Sequence, residues 1–590
     1  MPTLDALLSR LEYAKNQFGP GTADRVRRLL RQIGRYEFRD PKLLIRFHEC
    51  LLFLRAFPQS VSLVSQIEKA LHSFDDRMQR IRDLGADMSI FDEFDTSGIA
   101  GTTMQDSLNF EVARWLVRSV PQNVEIAWDD YDEERAWGAS WPRFIPLLRE
   151  DAEVEANVPW RCWLDAARGP RRDGEWLIRQ FERLQIGAPN EVDRVRGELY
   201  DSLRIPLRWR LQDLKLSRTR NWICPRLFYI HDAPLIARQE VSLAAELSRP
   251  PVRLKRPSQR ERDWVMRTIK EIMLVRYREL YGTTLGDPQS VVRADLERGV
   301  VIYLWNLSPG RRLPLRAYVA GFTLKNGVPI NYVEAIGLCE WIEVGFNTFY
   351  TFRQGETAWI YAQALRCLRA GTGASVISVY PYQIGQNNDE ALDSGAFWFY
   401  RKLGFRCGLP EIEQLARTEE KKIAADARYR SPRGTLKRLA EAHMFYEIDS
   451  TAARTVKKDD DSGESESAIV SGPWDRFSTR NLGLRLSRRM AQEFGGDLPV
   501  MRDASVQKIS RALGVNSYRW TNAEWRSLQE WSLVLSLIPK ITGWSPAERR
   551  EMTEIIRSRS GPNEMHYLHL TQHHMKLRRE LLRLGSRVDH

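Results

Sequence analysis

Apolar residues recur at helical spacing through the first hundred residues of the chain. Asp40 followed by Pro41 is typical of a helix start, because an aspartate can cap the first free N–H groups and proline is favoured at the first helical position. The pattern predicts a buried helix from Pro41 to about Arg55 and a second helix over residues 61–82. We therefore predict a helical N-terminal domain over residues 1–100.

Residues 101–251 are rich in tryptophan and proline. Proline interrupts regular structure, so this composition favours short helices joined by ordered loops over long strands. We predict a mostly helical region here.

The pattern changes to β-rich runs at Val300. Asn326-Gly327 lies between two of these runs and predicts a hairpin, because a type I′ turn needs positive φ at both central residues. The predicted strands are 300–305, 315–324, 330–336, 342–352 and 374–380, and helices are predicted over 358–369 and 388–403. The order is β-β-β-β-α-β-α, which predicts a mixed sheet within a domain over residues 252–450.

The composition changes again after Ser450. Residues 451–475 are charged and poor in apolar side chains, so we predict a flexible linker. Residues 476–590 return to helical patterns, and Ser545 with Glu548 predicts a capping box. The chain as a whole is predicted to be α+β and multidomain, with mostly helical N- and C-terminal regions around the central sheet.

Composition agrees with a globular protein, since 43% of the 590 residues are hydrophobic and 28% are charged. No apolar run reaches the roughly 18–20 residues that span a bilayer, so we predict no membrane partner. The first residues contain no basic stretch before an apolar block, which argues against a signal peptide. We therefore expect a cytoplasmic protein.

Basic residues exceed acidic ones by 89 to 77, a net charge of +12, and the pI is about 9.4. This excess permits nucleic acid as a partner, but the basic clusters are short and are typical of solvated helix faces. A nucleic-acid partner therefore remains possible but is not favoured.

Several familiar chemistries are not indicated. The six cysteines are widely spaced with no CxxC pair, which argues against a zinc ribbon or a disulfide scaffold. The chain also lacks a Walker A loop, HExxH and GxSxG. His566, His569 and His573 share one predicted helix face, but one helix rarely supplies three ligands to one ion, so we predict no metal site.

The segment Tyr400-Arg401-Lys402-Leu403-Gly404-Phe405 resembles the Y-x-K-L-G-F ending found in the GNAT family of N-acetyltransferases. The resemblance implies a GNAT-like acyltransferase domain over residues 252–450. It also implies acetyl-CoA or another acyl-CoA as co-substrate and an amine as acceptor.

The resemblance implies a diphosphate-binding turn between strand and helix, where backbone N–H groups and the helix dipole face the anion. The matching turn is near Gly355, and its expected cofactor-binding residues are Arg353, Gln354, Gly355, Thr357 and Ala358. The match is imperfect, because Thr357 replaces a second glycine. The neighbouring acid, Glu356, would also repel phosphate if its side chain pointed inward. An ordinary β–α turn is the alternative.

Tyr400 matches the family tyrosine that protonates the departing thiolate, although it could instead be a core aromatic residue. Glu334 and Glu343 are candidate general bases, as is Glu340, and each could instead be a surface or salt-bridged carboxylate. The segment 381–395 is longer than the family link and could either line an acceptor pocket or block the cleft.

Two functions follow from these residues. The first is an acyl-CoA-dependent N-acyltransferase, with Gly355 and neighbouring amides holding the diphosphate. The second is a non-catalytic scaffold or interaction protein in which a GNAT-like domain has lost catalysis, with nucleic acid as one candidate partner. A cleft filled by side chains favours the scaffold, and an open cleft with exposed amides favours the enzyme.

Overall fold

The computed structural model of the chain describes residues 2–131, 140–154, 160–186, 192–212, 216–278, 281–448 and 472–586. Most of the predicted charged linker, residues 451–471, lies outside these ranges.

The N-terminal hundred residues form helices, and the predicted start at Asp40 is confirmed because its carboxylate accepts a hydrogen bond from the N–H of Lys42 (2.9 Å). The single helix predicted over 61–82 is wrong, since it breaks at Ser73. The Ser73 hydroxyl bonds the carbonyl of Ala70 (2.8 Å), which competes with continuation of the helix. The helices are α1 (Leu4–Ala14), α2 (Thr22–Ile33), α3 (Pro41–Ala56), α4 (Val61–His72) and α5 (Phe74–Asp83).

The region after residue 100 combines short helices with a small antiparallel sheet that the sequence analysis did not predict. Its strands have only three or four residues, too few to show an alternating pattern. The elements are β1 (Thr103–Asp106), α6 (Phe110–Ser119), β2 (Val124–Ile126), α7 (Leu148–Val154), α8 (Trp160–Arg168), α9 (Asp173–Arg183), α10 (Val192–Ser202), β3 (Leu207–Arg210) and α11 (Leu243–Ser248). The strand order is β1-β3-β2, and the sheet packs on its own core around the buried Trp209.

An eight-stranded sheet lies at the centre of the chain, which confirms the α+β class with helices around a mixed sheet. The first elements are α12 (Gln259–Leu274), α13 (Tyr281–Thr284), β4 (Val292–Asp295), β5 (Val300–Asn306), β6 (Ala317–Lys325), β7 (Val328–Leu338) and β8 (Trp341–Thr348). They continue as α14 (Thr357–Thr372), β9 (Val376–Val379), α15 (Pro381–Ile384), α16 (Asp389–Asp393), α17 (Ala396–Arg401), β10 (Arg406–Cys407), α18 (Pro410–Ala425), α19 (Arg433–Leu439) and β11 (Met444–Glu447). The order is β10-β11-β9-β8-β7-β6-β5-β4, and β8 with β9 is the parallel pair.

Two predicted elements are shorter than expected. The strand predicted to reach residue 352 ends at Thr348, and a 3₁₀ turn follows at Tyr350–Phe352. The helix predicted over 388–403 is broken at Gly395, which adopts the left-handed conformation (φ 67°) between α16 and α17.

The predicted Asn-Gly hairpin between β6 and β7 is confirmed, with φ of 48° at Asn326 and 76° at Gly327. Hairpin tips usually face water, but this one is buried. The side-chain amide of Asn326 donates hydrogen bonds to the carbonyls of Ala56 (2.9 Å) and Tyr229 (3.0 Å). The tip therefore joins helix α3 and the segment before α11 to the sheet.

The C-terminal helices are α20 (Thr479–Phe494), α21 (Leu498–Leu513), α22 (Asn522–Leu535), α23 (Pro546–Ser558), α24 (Glu564–His573) and α25 (Met575–Gly585). The predicted capping box is confirmed, because Ser545 and Glu548 each accept a hydrogen bond from the other's N–H (3.3 and 2.7 Å). Trp474, within the range predicted as linker, is buried and stacks on Trp341 with ring centroids 5.3 Å apart.

A buried ionic group docks the C-terminal helices on the sheet. Glu564 pairs with Arg559 and lies 3.7 Å from the Nε of Arg312, and all three side chains are buried. Arg559 also donates to the carbonyl of Arg316 (2.9 Å), beside the start of β6.

The described residues contain no helix long and apolar enough to cross a membrane. They also contain no group of three or more histidine, cysteine or acidic side chains that could hold a metal ion. One of the clustered histidines, His569, bonds the carbonyl of Gly371 (3.1 Å), and the nearby His574 bonds the carbonyl of Glu548 (3.0 Å).

We predict that Glu564→Gln lowers the free energy of unfolding by about 3–5 kcal/mol, because it leaves buried arginine charge without its partner. Urea unfolding followed by tryptophan fluorescence measures the change. Glu37→Gln is the control, since Glu37 pairs with Arg39 (3.1 Å) on the surface and its loss should cost about 1 kcal/mol or less. Equal effects of the two substitutions would contradict the docking role of Glu564.

Candidate active site

A cleft opens in the central sheet where β8 and β9 separate. The two strands pair over three positions only, the last being Glu343 with Ser378, and β8 continues to Thr348 with β7 as its one ladder partner among the described residues. Strand β9 ends at Val379, and Pro381 soon follows, which has no N–H to extend a ladder. The result is a cleft of about 560 Å³.

The cleft has three walls beyond the end of β8. One is the turn into α14, the second is formed by residues 383–400, and the third is the segment 235–238. All five predicted cofactor-binding residues lie on the first wall: Arg353, Gln354, Gly355, Thr357 and Ala358. The second wall contains Tyr400, so the structure brings the predicted turn and the predicted tyrosine to one cavity.

The first wall presents the N-terminus of a sixteen-residue helix to the cleft. Helix α14 begins at Thr357, and the side chain of its N-cap residue, Glu356, forms no capping hydrogen bond. The first N–H groups of a helix lack partners within the helix and carry a partial positive charge. Because Thr357 and Ala358 line the cleft, this end can accept an anion.

Gly355 is required for a reason that the sequence did not reveal. Its φ is not positive, but a Cβ atom there would lie 2.7 Å from the ring of Phe57 and 3.0 Å from the carbonyl of Phe352. The glycine therefore lets the N-terminal helical region pack against the turn.

Glu356, the acid expected to disfavour phosphate if it pointed inward, points away from the cleft. Its buried carboxylate pairs with Lys325 (3.0 Å) and with Arg298, and accepts a hydrogen bond from the N–H of Ile236 (3.3 Å). Burial acts to raise the pKa of Glu356, but the two cations outweigh it and the pKa is lowered. The carboxylate is thus ionised and neutralised behind the turn.

Tyr400 lies on α17 and faces the cleft from a layer of aromatic rings. Its ring makes edge contacts with Tyr361 (5.6 Å) and Phe405 (5.7 Å). Burial raises the pKa of Tyr400, so its hydroxyl stays protonated at neutral pH and can donate a proton. The buried hydroxyl of Tyr361 has no hydrogen-bond partner among the described residues.

Glu334 lies on β7, directly opposite Gly345 of β8. Opposed residues of an antiparallel pair project to the same face, and a Cβ atom on Gly345 would lie 3.4 Å from Gln383, which lines the cleft. Glu334 thus shares a face of the sheet with the cleft. Burial raises the pKa of Glu334, although the hydroxyl of Tyr318 donates a hydrogen bond to its carboxylate.

The other two candidate carboxylates are occupied by ion pairs. Glu343 contacts His443 (3.1 Å) and Arg316 (3.4 Å), which overcome burial and lower its pKa. Glu340 accepts hydrogen bonds from Trp474 (2.7 Å) and Arg578 (2.8 Å). Both therefore help to attach neighbouring elements, and Glu334 is better suited to accept a proton.

The long segment 381–395 lines the cleft without filling it. Asn388 caps α16 by accepting from the N–H of Ala391 (3.1 Å). Glu390 pairs with Arg353 and so links the second wall to the first.

The third wall of the cleft was not predicted from the sequence. Residues 235–238 precede α11 and belong to the region assigned to 101–251, yet Leu235, Ile236, Ala237 and Arg238 line the cleft. No motif marks them, because their place depends on long-range contacts such as that between Ile236 and Glu356.

Comparisons of the chain with protein-family models, curated proteins and solved structures found no match.

We predict that the buried Lys325 gives the protein a distinctive alkaline stability profile. Burial lowers the pKa of Lys325 to about 8, although Glu356 opposes this effect. Between about pH 8 and 10.5 the unfolded chain then holds a proton that the folded chain has lost, so stability rises with pH in this window. Relative to Lys325→Met, the wild-type free energy of unfolding should rise by up to roughly 3 kcal/mol.

Urea unfolding of the wild-type and Lys325→Met proteins at pH 7.5 and 10.5 measures the difference between their free energies of unfolding. Because the two proteins share every other titrating group, a change in this difference with pH reports the titration of Lys325. A difference that does not change with pH would mean that Lys325 titrates normally and that the ion pair is not buried.

Proposed function

We propose that this chain is an N-acyltransferase of the GNAT type that transfers an acyl group from acyl-CoA to an amine. The observation that carries the proposal is that one cleft contains both an uncapped helix N-terminus and a protonated tyrosine. The strands 300–348, the helix 357–372 and the parallel strand 376–379 also follow the β-β-β-β-α-β order that the sequence pattern predicts.

In this proposal the diphosphate of the donor lies at the start of α14. Backbone N–H groups of Thr357 and Ala358 and the helix dipole favour its negative charge. Glu356 does not oppose binding, because Lys325 and Arg298 neutralise it on the far side of the turn. The thioester then extends along β8 towards Tyr400.

Tyr400 would act as the general acid. The amine nitrogen attacks the thioester carbonyl to form a tetrahedral intermediate, and the C–S bond breaks as the amide forms. The hydroxyl of Tyr400 gives its proton to the departing thiolate, and the free thiol of CoA results. The hydroxyl holds this proton at neutral pH, because an ordinary tyrosine pKa of about 10 is already well above 7 and burial raises it.

Glu334 would accept the proton lost by the attacking amine. It faces the same side of the sheet as the cleft, and its raised pKa makes it a stronger base than an ordinary carboxylate. Glu343 is a weaker candidate, because its ion pairs lower its pKa.

The open cleft argues against the scaffold alternative. A domain that had lost catalysis would be expected to fill this space with side chains, but the cavity measures about 560 Å³. The extension at 381–395 forms a wall of that cavity and so supports a role in acceptor binding.

We predict that acetyl-CoA raises the melting temperature of the wild-type protein and that Thr357→Glu abolishes the shift. A ligand that binds only the native state adds about 2.7 kcal/mol of stability at 100 times its dissociation constant. Glutamate at the first position of a helix favours the helix dipole, so the variant should fold, but its charge would repel a diphosphate.

Thr357→Gln is the matched control, since it adds nearly the same volume without charge and should retain the shift. No wild-type shift at millimolar acetyl-CoA would count against the enzyme and favour the scaffold. Equal shifts in all three proteins would show that the diphosphate does not lie at α14.

We predict that Tyr400→Phe lowers kcat by about 100-fold to 10,000-fold, the usual contribution of a general acid, and leaves acetyl-CoA affinity unchanged. Thiol release from acetyl-CoA, measured with the most active amine of a panel, reports kcat. Calorimetry reports the affinity.

Tyr361→Phe is the control for ring packing. It removes a neighbouring buried hydroxyl that has no partner among the described residues, so it should leave stability and rate nearly unchanged. A similar loss of rate in both variants would indicate that the aromatic layer, and not the Tyr400 proton, supports catalysis.

A further inference from the structure

Tyr318 contacts Glu334 on the face of the sheet that Glu334 shares with the cleft. Tyr318 lies on β6 opposite Ile336, and Glu334 lies on β7 opposite Ala320, so the two residues are diagonal neighbours on one face. The hydroxyl of Tyr318 donates a hydrogen bond to one oxygen of the Glu334 carboxylate. The second oxygen has no hydrogen-bond partner among the described residues, and the side chain of Glu334 is partly exposed.

Helix α13 and strand β5 hold the ring of Tyr318 in place. A Cβ atom on Gly282 would lie 2.6 Å from that ring and 2.9 Å from the side chain of Ala320, so only glycine lets the helix pack this closely. The ring of Tyr281 makes an edge contact with Tyr318, with centroids 5.8 Å apart. The carbonyl of Gly282 accepts a hydrogen bond from the indole of Trp305 on β5 (2.8 Å). Tyr318 is therefore only 5% exposed, and its hydroxyl has a fixed place beside the carboxylate.

Other charged groups near this part of the sheet are engaged elsewhere. The titratable or charged side chains around it are Tyr332 on β7, Glu343 on β8, Arg316 beside the start of β6, His443 before β11, Arg278 before α13 and Glu390 on α16. Arg316 and His443 pair with Glu343 (3.4 and 3.1 Å). The described residues place no ion pair on Glu334, so Tyr318 is the contact that orients its carboxylate.

We propose that Tyr318 is a positioning residue for the general base: it holds one oxygen of the Glu334 carboxylate and leaves the other free to take the proton of the attacking amine. The inference rests on the proposed function, because it assumes that Glu334 is that base. As the C–N bond forms, the amine proton passes to the free oxygen of Glu334. Burial raises the pKa of Tyr318, so its hydroxyl keeps its own proton and remains a donor throughout.

The hydrogen bond also sets the basicity of Glu334. Burial raises the pKa of Glu334, and the bond from Tyr318 opposes this effect because it favours the charged carboxylate. Without the bond, burial would keep Glu334 protonated, and inactive as a base, up to a higher pH.

The pH dependence of kcat/KM for Tyr318→Phe tests this role, with acetyl-CoA and the most active amine of a panel. In the wild type, kcat/KM should fall at low pH as Glu334 becomes protonated. In Tyr318→Phe we expect this fall to begin at a higher pH, by about one pH unit, because a hydrogen bond to a charged group is lost. A purely structural role of Tyr318 would lower the rate at every pH without moving the fall.

Two variants serve as controls for this measurement. Tyr281→Phe removes a neighbouring hydroxyl that donates to the carbonyl of Arg311, so its pH profile should match that of the wild type. Glu334→Gln should lower kcat/KM by about 100-fold to 10,000-fold and remove the fall that belongs to Glu334. The titration of the amine itself is the same with every protein, so a fall that moves belongs to the protein.

A second measurement needs no amine. The free energy of unfolding of the wild type minus that of Glu334→Gln, followed in urea from pH 4 to 8, reports the titration of Glu334. Since its pKa is raised by folding, Glu334 contributes stability that is present at low pH and lost as pH rises through the folded pKa. Between Tyr318→Phe and Tyr318→Phe/Glu334→Gln, this loss should end about one pH unit higher.

A fall in kcat/KM that stays at the wild-type pH in Tyr318→Phe, or moves equally in Tyr281→Phe, would overturn the positioning role and leave acyl transfer intact. A loss of stability that moves while the fall in kcat/KM does not would show that Tyr318 tunes Glu334 but that Glu334 is not the base, which also overturns the inference. A wild type that acylates no amine of the panel would overturn the proposed function and the inference together.

Discussion

The buried ion pair between Lys325 and Glu356 is the contact on which the arrangement of the cleft depends. Lys325 ends strand β6 and Glu356 precedes helix α14, so the pair attaches the turn of the first wall to the sheet. Removing two charges from water is costly, and a pair with this burial persists only when further contacts satisfy it. Arg298 and the N–H of Ile236 supply those contacts to Glu356.

The same region collects parts of the chain that are distant in sequence. Asn326 next to Lys325 bonds the end of α3 and the carbonyl of Tyr229, and Phe57 packs on Gly355. The N-terminal helices, the segment before α11 and the sheet therefore share one hydrophobic core with the cleft at its edge. The N-terminal helical flank is thus part of the support of the site.

Local patterns in the sequence predicted local structure well. The Asn326-Gly327 hairpin and the cap at Asp40 follow from conformational preferences of a few neighbouring residues, and both are present. The orientation of Glu356 could not be predicted, because it depends on Lys325 and Arg298, which are 31 and 58 positions away. For the same reason, the sequence identified Tyr400 and Thr357 as candidates but could not show that they face one cavity, and it could not place Arg238 there.

Strand β8 is an interior strand along its first residues and an edge strand along its last. Beyond Glu343 its ladder partner in the described chain is β7 alone, and Phe346, Asn347 and Thr348 of this stretch line the cleft. Edge strands attract other chains, and this edge lies beside a cleft with walls on three sides. A ligand with amide groups spaced along an extended arm could hydrogen-bond to this free edge of β8 as an added strand would. Recognition of such a ligand would then depend on the backbone of β8, which side-chain substitutions can scarcely alter.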